Sequence, residues 1–122
     1  MPVFPSRRSH QFLTNVATGT TPVPTPFMNE GYSTMSFQVV GLGTGTVQWE
    51  ATLGLEPTTV TWVAVRATDA NTGVAATTAA ADGMSTLDIR SFAGVRARVT
   101  TLSIVNNGRL DVYGFGQAET SG

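Results

Sequence analysis

GTVQWEATLGLEPTTVTWVAVRATDANTG, residues 45–73, is the stretch that decides the fold. Val47, Trp49, Ala51 and Leu53 alternate with Thr46, Gln48, Glu50 and Thr52. A period of two marks a half-buried strand. Gly54-Leu55-Glu56-Pro57 interrupts it, because glycine and proline stop strand propagation. Val60 to Val65 then reads as a second strand, rich in β-branched residues and carrying Trp62. The pattern predicts an antiparallel hairpin with both tryptophans on its buried face. A buried tryptophan removes about 150–250 Å² from water, worth about 4–6 kcal/mol at about 25 cal/mol per Å². The pair is therefore expected to anchor the core, and a ligand-stacking platform is the competing use of the same rings.

Working outward, Tyr32 to Val40 alternates, with Met35, Phe37 and Val39 on one face and Ser36 and Gln38 on the other. Gly41 to Gly45, GLGTG, is a turn; a strand and not a helix follows it, so it is no dinucleotide fingerprint. Residues 67–83 form a small-residue connection with a short strand expected over Val74 to Ala81. Asp69, Asn71 and Gly73 have the opening spacing of a calcium loop but lack its closing glutamate, which favours an Asx-stabilised turn. Met84 to Arg90 points Leu87 and Ile89 inward and Asp88 and Arg90 outward. Val95, Ala97, Val99 and Thr101 alternate with Arg96, Arg98 and Thr100. Asn107-Gly108 favours a type I′ hairpin turn that would pair Val105 with Leu110 and Ser103 with Val112. Residues 114–122 read as a polar tail. Seven or eight short strands with frequent turns and no convincing helix predict an all-β antiparallel sandwich, jelly-roll or immunoglobulin-like, over residues 31–122.

Residues 1–30 differ in kind, holding five of the six prolines and the tract VATGTTPVPTP. Proline fixes φ and biases its predecessor to extended geometry, so an extended N-terminal arm is expected. Val3, Phe4, Phe12, Leu13 and Val16, beside Arg7 and Arg8, are more apolar than a solvated tail needs, which favours an arm that orders on a partner. An arm of this kind implies that a chain lacking residues 1–30 still folds.

The 122 residues suffice for one self-supporting domain. With no cysteine, disulfides and thiolate chemistry are excluded. All seven basic residues are arginine, the net charge is −1, and the charged fraction of 12% is about half the usual share, so the composition points to neither nucleic acid nor an anionic membrane. The N-terminus lacks a signal-peptide pattern, and synthesis in a cytoplasm is expected. The single histidine, His10, falls in the expected arm, and lysine-dependent chemistry has no residue to use. Carboxylate pairs such as Asp82 with Asp88, or Glu50 with Glu56, are expected to be solvated or paired with arginine. No enzyme activity, cofactor or metal is expected. Arg96, Arg98 and Arg109 can cluster across the last hairpin, with Asp88, Arg90 and Asp111 near enough to neutralise them, as in a mixed-charge subunit contact.

Gly45/Val47/Trp49/Glu50, Thr61/Trp62/Ala64/Val65, Gly94/Arg96/Arg98/Val99 and Gly108/Leu110/Val112 together resemble the strand motifs of small β-sandwich virion proteins of tailed bacteriophages. The resemblance spans residues 31–115. It implies a virion structural protein, most like a capsid decoration or cement protein that binds the major capsid protein lattice and copies of itself as a homo-oligomer on the capsid surface. No nucleic-acid or membrane partner is implied. A tail or head-fibre component and a carbohydrate-binding sandwich, with Trp49, Trp62 or Tyr113 as its platform, are the alternatives. The residues expected to touch the partner are Phe4, Arg7, Arg8, Phe12 and Leu13 of the arm and Arg96, Arg98 and Arg109 of the sandwich.

Overall fold

The computed structural model describes residues 7–18, 22, 24–53, 61–102 and 108–118. Among them are eleven strands and no helix: β1 Arg7–Val16, β2 Phe27–Met28, β3 Thr34–Val40, β4 Thr46–Thr52, β5 Val63–Ala64, β6 Ala67–Asp69, β7 Ala75–Ala76, β8 Thr78–Ala79, β9 Gly83–Asp88, β10 Gly94–Thr101 and β11 Leu110–Gln117. Two antiparallel sheets pack together as the expected sandwich. One has the order β1-β11-β3-β9-β6-β7; the other has the order β2-β10-β4-β5, with β8 also on β4.

The alternation in the central stretch holds where the ladder is long. Val47, Trp49 and Ala51 are buried, and Trp49 stacks on Phe37 of the opposite sheet at 4.3 Å between ring centres. Leu53 lies beyond the end of β4 and is exposed. The hairpin partner pairs only through Glu50 with Ala64 and Ala51 with Val63. The turn expected at Gly54–Pro57 and the start of that strand at Val60 lie outside the described residues. With a ladder two residues long, alternation does not fix which way Trp62 points. It is half-buried on the outside of the sheet, not in the core.

The largest correction concerns the expected arm. Residues 7–16 form a ten-residue strand beside β11, and Phe12, Leu13 and Val16 are buried. Two register shifts, between Gln11 and Leu13 and between Leu13 and Val16, break the period of two, and Asn15 takes a positive φ of 52°. An extra residue in a bulge turns adjacent side chains to the same side, so Phe12 and Leu13 both face inward and no alternation shows in the sequence. Phe27 of β2 is buried as well.

The second correction concerns the last two strands. Ser103, Val105 and Asn107 lie outside the described residues, but the strands flanking them occupy different sheets: β10 pairs with β2 and β4, β11 with β1 and β3. β10 and β11 therefore do not pair with each other as the expected hairpin requires, and Val112 has Leu13 and Val39 as its neighbours instead of Ser103. Nor is Gly114 the start of a tail, because β11 continues to Gln117. Gly114 faces inward, and a Cβ there would collide with the Phe12 ring. The β1 aromatic fills space that β11 leaves empty.

Short polar contacts fix the turns. Asp82 accepts the backbone N–H of Leu42 at 2.8 Å and of Gly41 at 3.0 Å, and so pins the turn between β3 and β4. Gly41 has a φ of 83°, and a Cβ there would strike the Arg109 carbonyl. Asp69 accepts from the N–H of Asn71 at 2.7 Å and of Thr72 at 3.0 Å, the Asx turn expected there. Those bonds hold its carboxyl below the usual range, the Thr72 backbone first. The small-residue run after it divides, with β7 joining one sheet and β8 the other.

Candidate partner-binding surfaces

The residues expected to touch a partner do not form one surface. Phe4 lies outside the described residues. Phe12 and Leu13 are core residues and have no face to offer. Arg7 and Arg8 are exposed on β1, the edge strand, with guanidinium carbons 5.9 Å from the Phe115 ring centre and 5.5 Å from that of Phe27. Arg96 and Arg98 sit together on β10. Arg109 immediately precedes β11, in the other sheet, and strand pairing does not bring it to them.

Arg96 and Arg98 are consumed by Glu50. On the outer face of β4, Glu50 stands directly across from Arg96, while Arg98 stands across from Gln48. Arg96 Nε donates to Glu50 Oε1 at 2.7 Å, Arg98 Nε to Oε2 at 3.0 Å, and Gln48 Nε2 to Oε2 at 2.8 Å. The Trp62 ring lies over the same patch, 4.4 Å from the Arg96 guanidinium carbon and against Gly94. Glu50 is only 5% exposed although its strand position faces outward. Burial alone would raise its carboxyl pKa. The three side-chain hydrogen bonds and the Arg96 charge outweigh that and hold it below the usual range. The cluster is a cap over the sheet that satisfies itself.

At the adjoining edge, Ala51, Leu53, Val63, Val65 and Phe92 line an apolar depression of about 450 Å³, with Leu53 76% and Val63 58% exposed.

The outer face of the six-stranded sheet is different. Tyr113 is 42% and Phe115 37% exposed. Strand registry sets Ser9, Phe115, Ser36 and Thr86 in one row and Gln11, Tyr113, Gln38 and Met84 in the next. None of these eight side chains is charged. Asp111 lies to one side, where it accepts the Asn15 N–H at 2.9 Å and a Gln11 amide hydrogen at 3.3 Å. On the other side Arg90 bonds Asp88 at 2.7 Å, which depresses the Asp88 carboxyl to about 2. Asp82 and Asp88 thus have separate structural partners. His10 is half-buried on β1, its Nε2–H donating to the Thr25 carbonyl at 3.0 Å and its ring edge against Phe12.

The sequence already offers Tyr113 as a stacking platform, but Phe115 beside it falls in the expected tail and was not paired with it. The signal was legible in YGFG, where large and absent side chains alternate with period two.

No family model and no curated protein matches the chain. Two solved structures share its fold. The SPBc2 prophage-derived protein YomS superposes with a TM-score of 0.75 over 95% of this chain and 96% of its own, at 14% identity. The PBSX exported protein XepA superposes with a TM-score of 0.76 over 93% of this chain and 39% of its own, also at 14% identity.

Proposed function

We propose that the chain is a structural protein of a bacteriophage virion, a decoration or cement protein bound in many copies to the capsid lattice. The observation that carries this reading is the end-to-end correspondence of its fold with a prophage-derived protein of the same extent. A surface coated with threonine and short of charge suits a chain packed against neighbours. With Phe12 and Leu13 committed to the core, attachment passes to the sandwich itself. The exposed Leu53 and Val63, beside their apolar depression, are the residues we assign to the lattice contact. The fold also occurs as part of the longer XepA chain, so a module within a larger component, such as a tail or head fibre, is the second reading.

The test is co-sedimentation of purified protein with capsids stripped of this component, together with immunogold electron microscopy of intact particles. Saturable binding to capsids, weakened by Leu53→Asp with Val63→Asp, is the expected result. Label confined to the tail would favour the second reading, and particles without label would remove both.

A further inference from the structure

The outer face of the β1-β11-β3-β9 strands has the chemistry of a carbohydrate platform, and we propose that it binds a chain of neutral sugars across Tyr113. This is independent of where the protein sits on a particle. Three observations carry it. First, β11 spends its large side chains on the outside: Tyr113 and Phe115 point out while Gly114 and Gly116 point in, and the core below is filled by Phe12 and Phe27 from other strands. Core packing therefore does not account for the two exposed rings. Second, the rings stand among neutral hydrogen-bonding groups that remain free. Among the described residues, the side chains of Ser9, Ser36, Gln38, Thr86 and Tyr113 make no hydrogen bond within the protein. Third, the face holds two shallow depressions lined by successive outward positions of the same strands. One, of about 260 Å³, lies between Ser9, Ser36, Gln38, Met84 and Tyr113. The other, of about 480 Å³, reaches from these strands to Thr68 of β6 and is lined by Thr34, Thr86 and Gln117 and by the paired Asp88 and Arg90.

A pyranose ring presents a flat array of C–H groups on one side and hydroxyls around its rim. The first packs on an aromatic face, and the second pairs with amides and hydroxyls that both donate and accept. Alternate residues of a strand lie about 6.5–7 Å apart, so two outward rings on one strand can meet successive units of an extended chain. Arg7 stands over Phe115, which leaves Tyr113 as the principal platform. The eight central positions carry no charge, so the fitting ligand is neutral. A nucleic acid would ask for a basic track, and a bound peptide strand would ask for a sheet edge, not a sheet face.

The test uses the full chain in affinity electrophoresis through gels containing dextran, mannan, galactan or hydroxyethyl cellulose. Retardation by at least one of the four is expected. Tyr113→Ala should weaken it about tenfold or more, and Tyr113→Phe should retain most of it. Tyr113→Ala should melt with the unsubstituted protein, because the ring is exposed and makes no hydrogen bond among the described residues. No retardation by any of the four polysaccharides, or retardation unchanged in Tyr113→Ala, overturns the proposal. So does a finding by analytical ultracentrifugation that Tyr113→Ala converts a dimer to a monomer without altering glycan retardation, which would make the face a contact between copies.

Discussion

The two outer faces of this sandwich use polar side chains in opposite ways. On the β10–β4 face a carboxylate, two guanidinium groups and an amide converge, and Trp62 covers the Arg96 end. Both carboxylate oxygens of Glu50 are bonded within the cluster, and each of the other three side chains donates to them. On the β11–β3 face the side chains are neutral and dispersed, and most of their hydrogen-bonding capacity is turned outward. The charged cluster looks more like a binding site in the sequence, yet it is the face with less to offer a partner. A charge removed from water needs a counter-charge close by, and in this fold the neighbouring strand supplies it. Uncharged amides and hydroxyls rest in water at little cost and stay available.

The neutral face exists only if β1 is part of the sheet, and the most severe test removes that strand. Deleting residues 1–16 strips Phe12, Leu13 and Val16 from the core; each buried apolar side chain of this size is worth about 1.5–3 kcal/mol. The combined loss reaches the range of about 5–15 kcal/mol that holds a whole domain together. The truncated chain should be unfolded by far-UV circular dichroism and show no cooperative melt. A cooperative transition near that of the full chain would restore the arm reading.

A smaller effect should follow Glu50→Ala, which leaves Arg96 half-buried without its carboxylate. The expected cost is about 2–4 kcal/mol, less than for a fully buried pair because Arg98 is more exposed. Chemical denaturation measures it, and a cost below about 0.5 kcal/mol would mean that the cluster is an ordinary surface pair. The same residue gives the acid dependence a sign. Its carboxyl is held below the unfolded value, so the associated stability is present above that value and is lost as pH falls through the folded one. Between about pH 5 and pH 3 the unsubstituted protein should lose more melting temperature than Glu50→Ala does.

Trp62→Ala should be milder, at about 1 kcal/mol, since it removes a half-buried ring and a cation–π contact and no core packing. A loss of about 3–5 kcal/mol, the size expected at a core tryptophan such as Trp49, would show that Trp62 packs inside after all.

How far the chain was legible depended on ladder length. β3, β4 and β9 have regular partners along most of their length, and their inward residues, from Met35 and Phe37 to Trp49 and Leu87, follow from alternation alone. Trp62 failed because a two-residue ladder imposes no facing. β1 failed because two bulges erase the period that marks a strand. The last hairpin failed because an Asn-Gly turn signal says nothing of which sheet receives the strand beyond it. Of the surfaces, the grouping of Arg96 with Arg98 was visible as adjacent outward positions, but their capture by Glu50 came from strand pairing 46 and 48 residues away.

The class was legible in the residues alone: β-branched runs of period two, glycine and proline punctuation and no helical period admit only an antiparallel β domain. So was the set of residues in the regular strands that lie inside, because side chains alternate strictly along an unbroken ladder. Packing between sheets settles the rest: the proline-rich beginning contributes an edge strand, the final two strands part company, and aromatic rings on β11 face solvent. Those outcomes depend on which strands meet across the sandwich. Phe12 from one end of the chain enters the space left by Gly114 at the other, and a match of volume between segments so far apart leaves no mark on the local pattern of either.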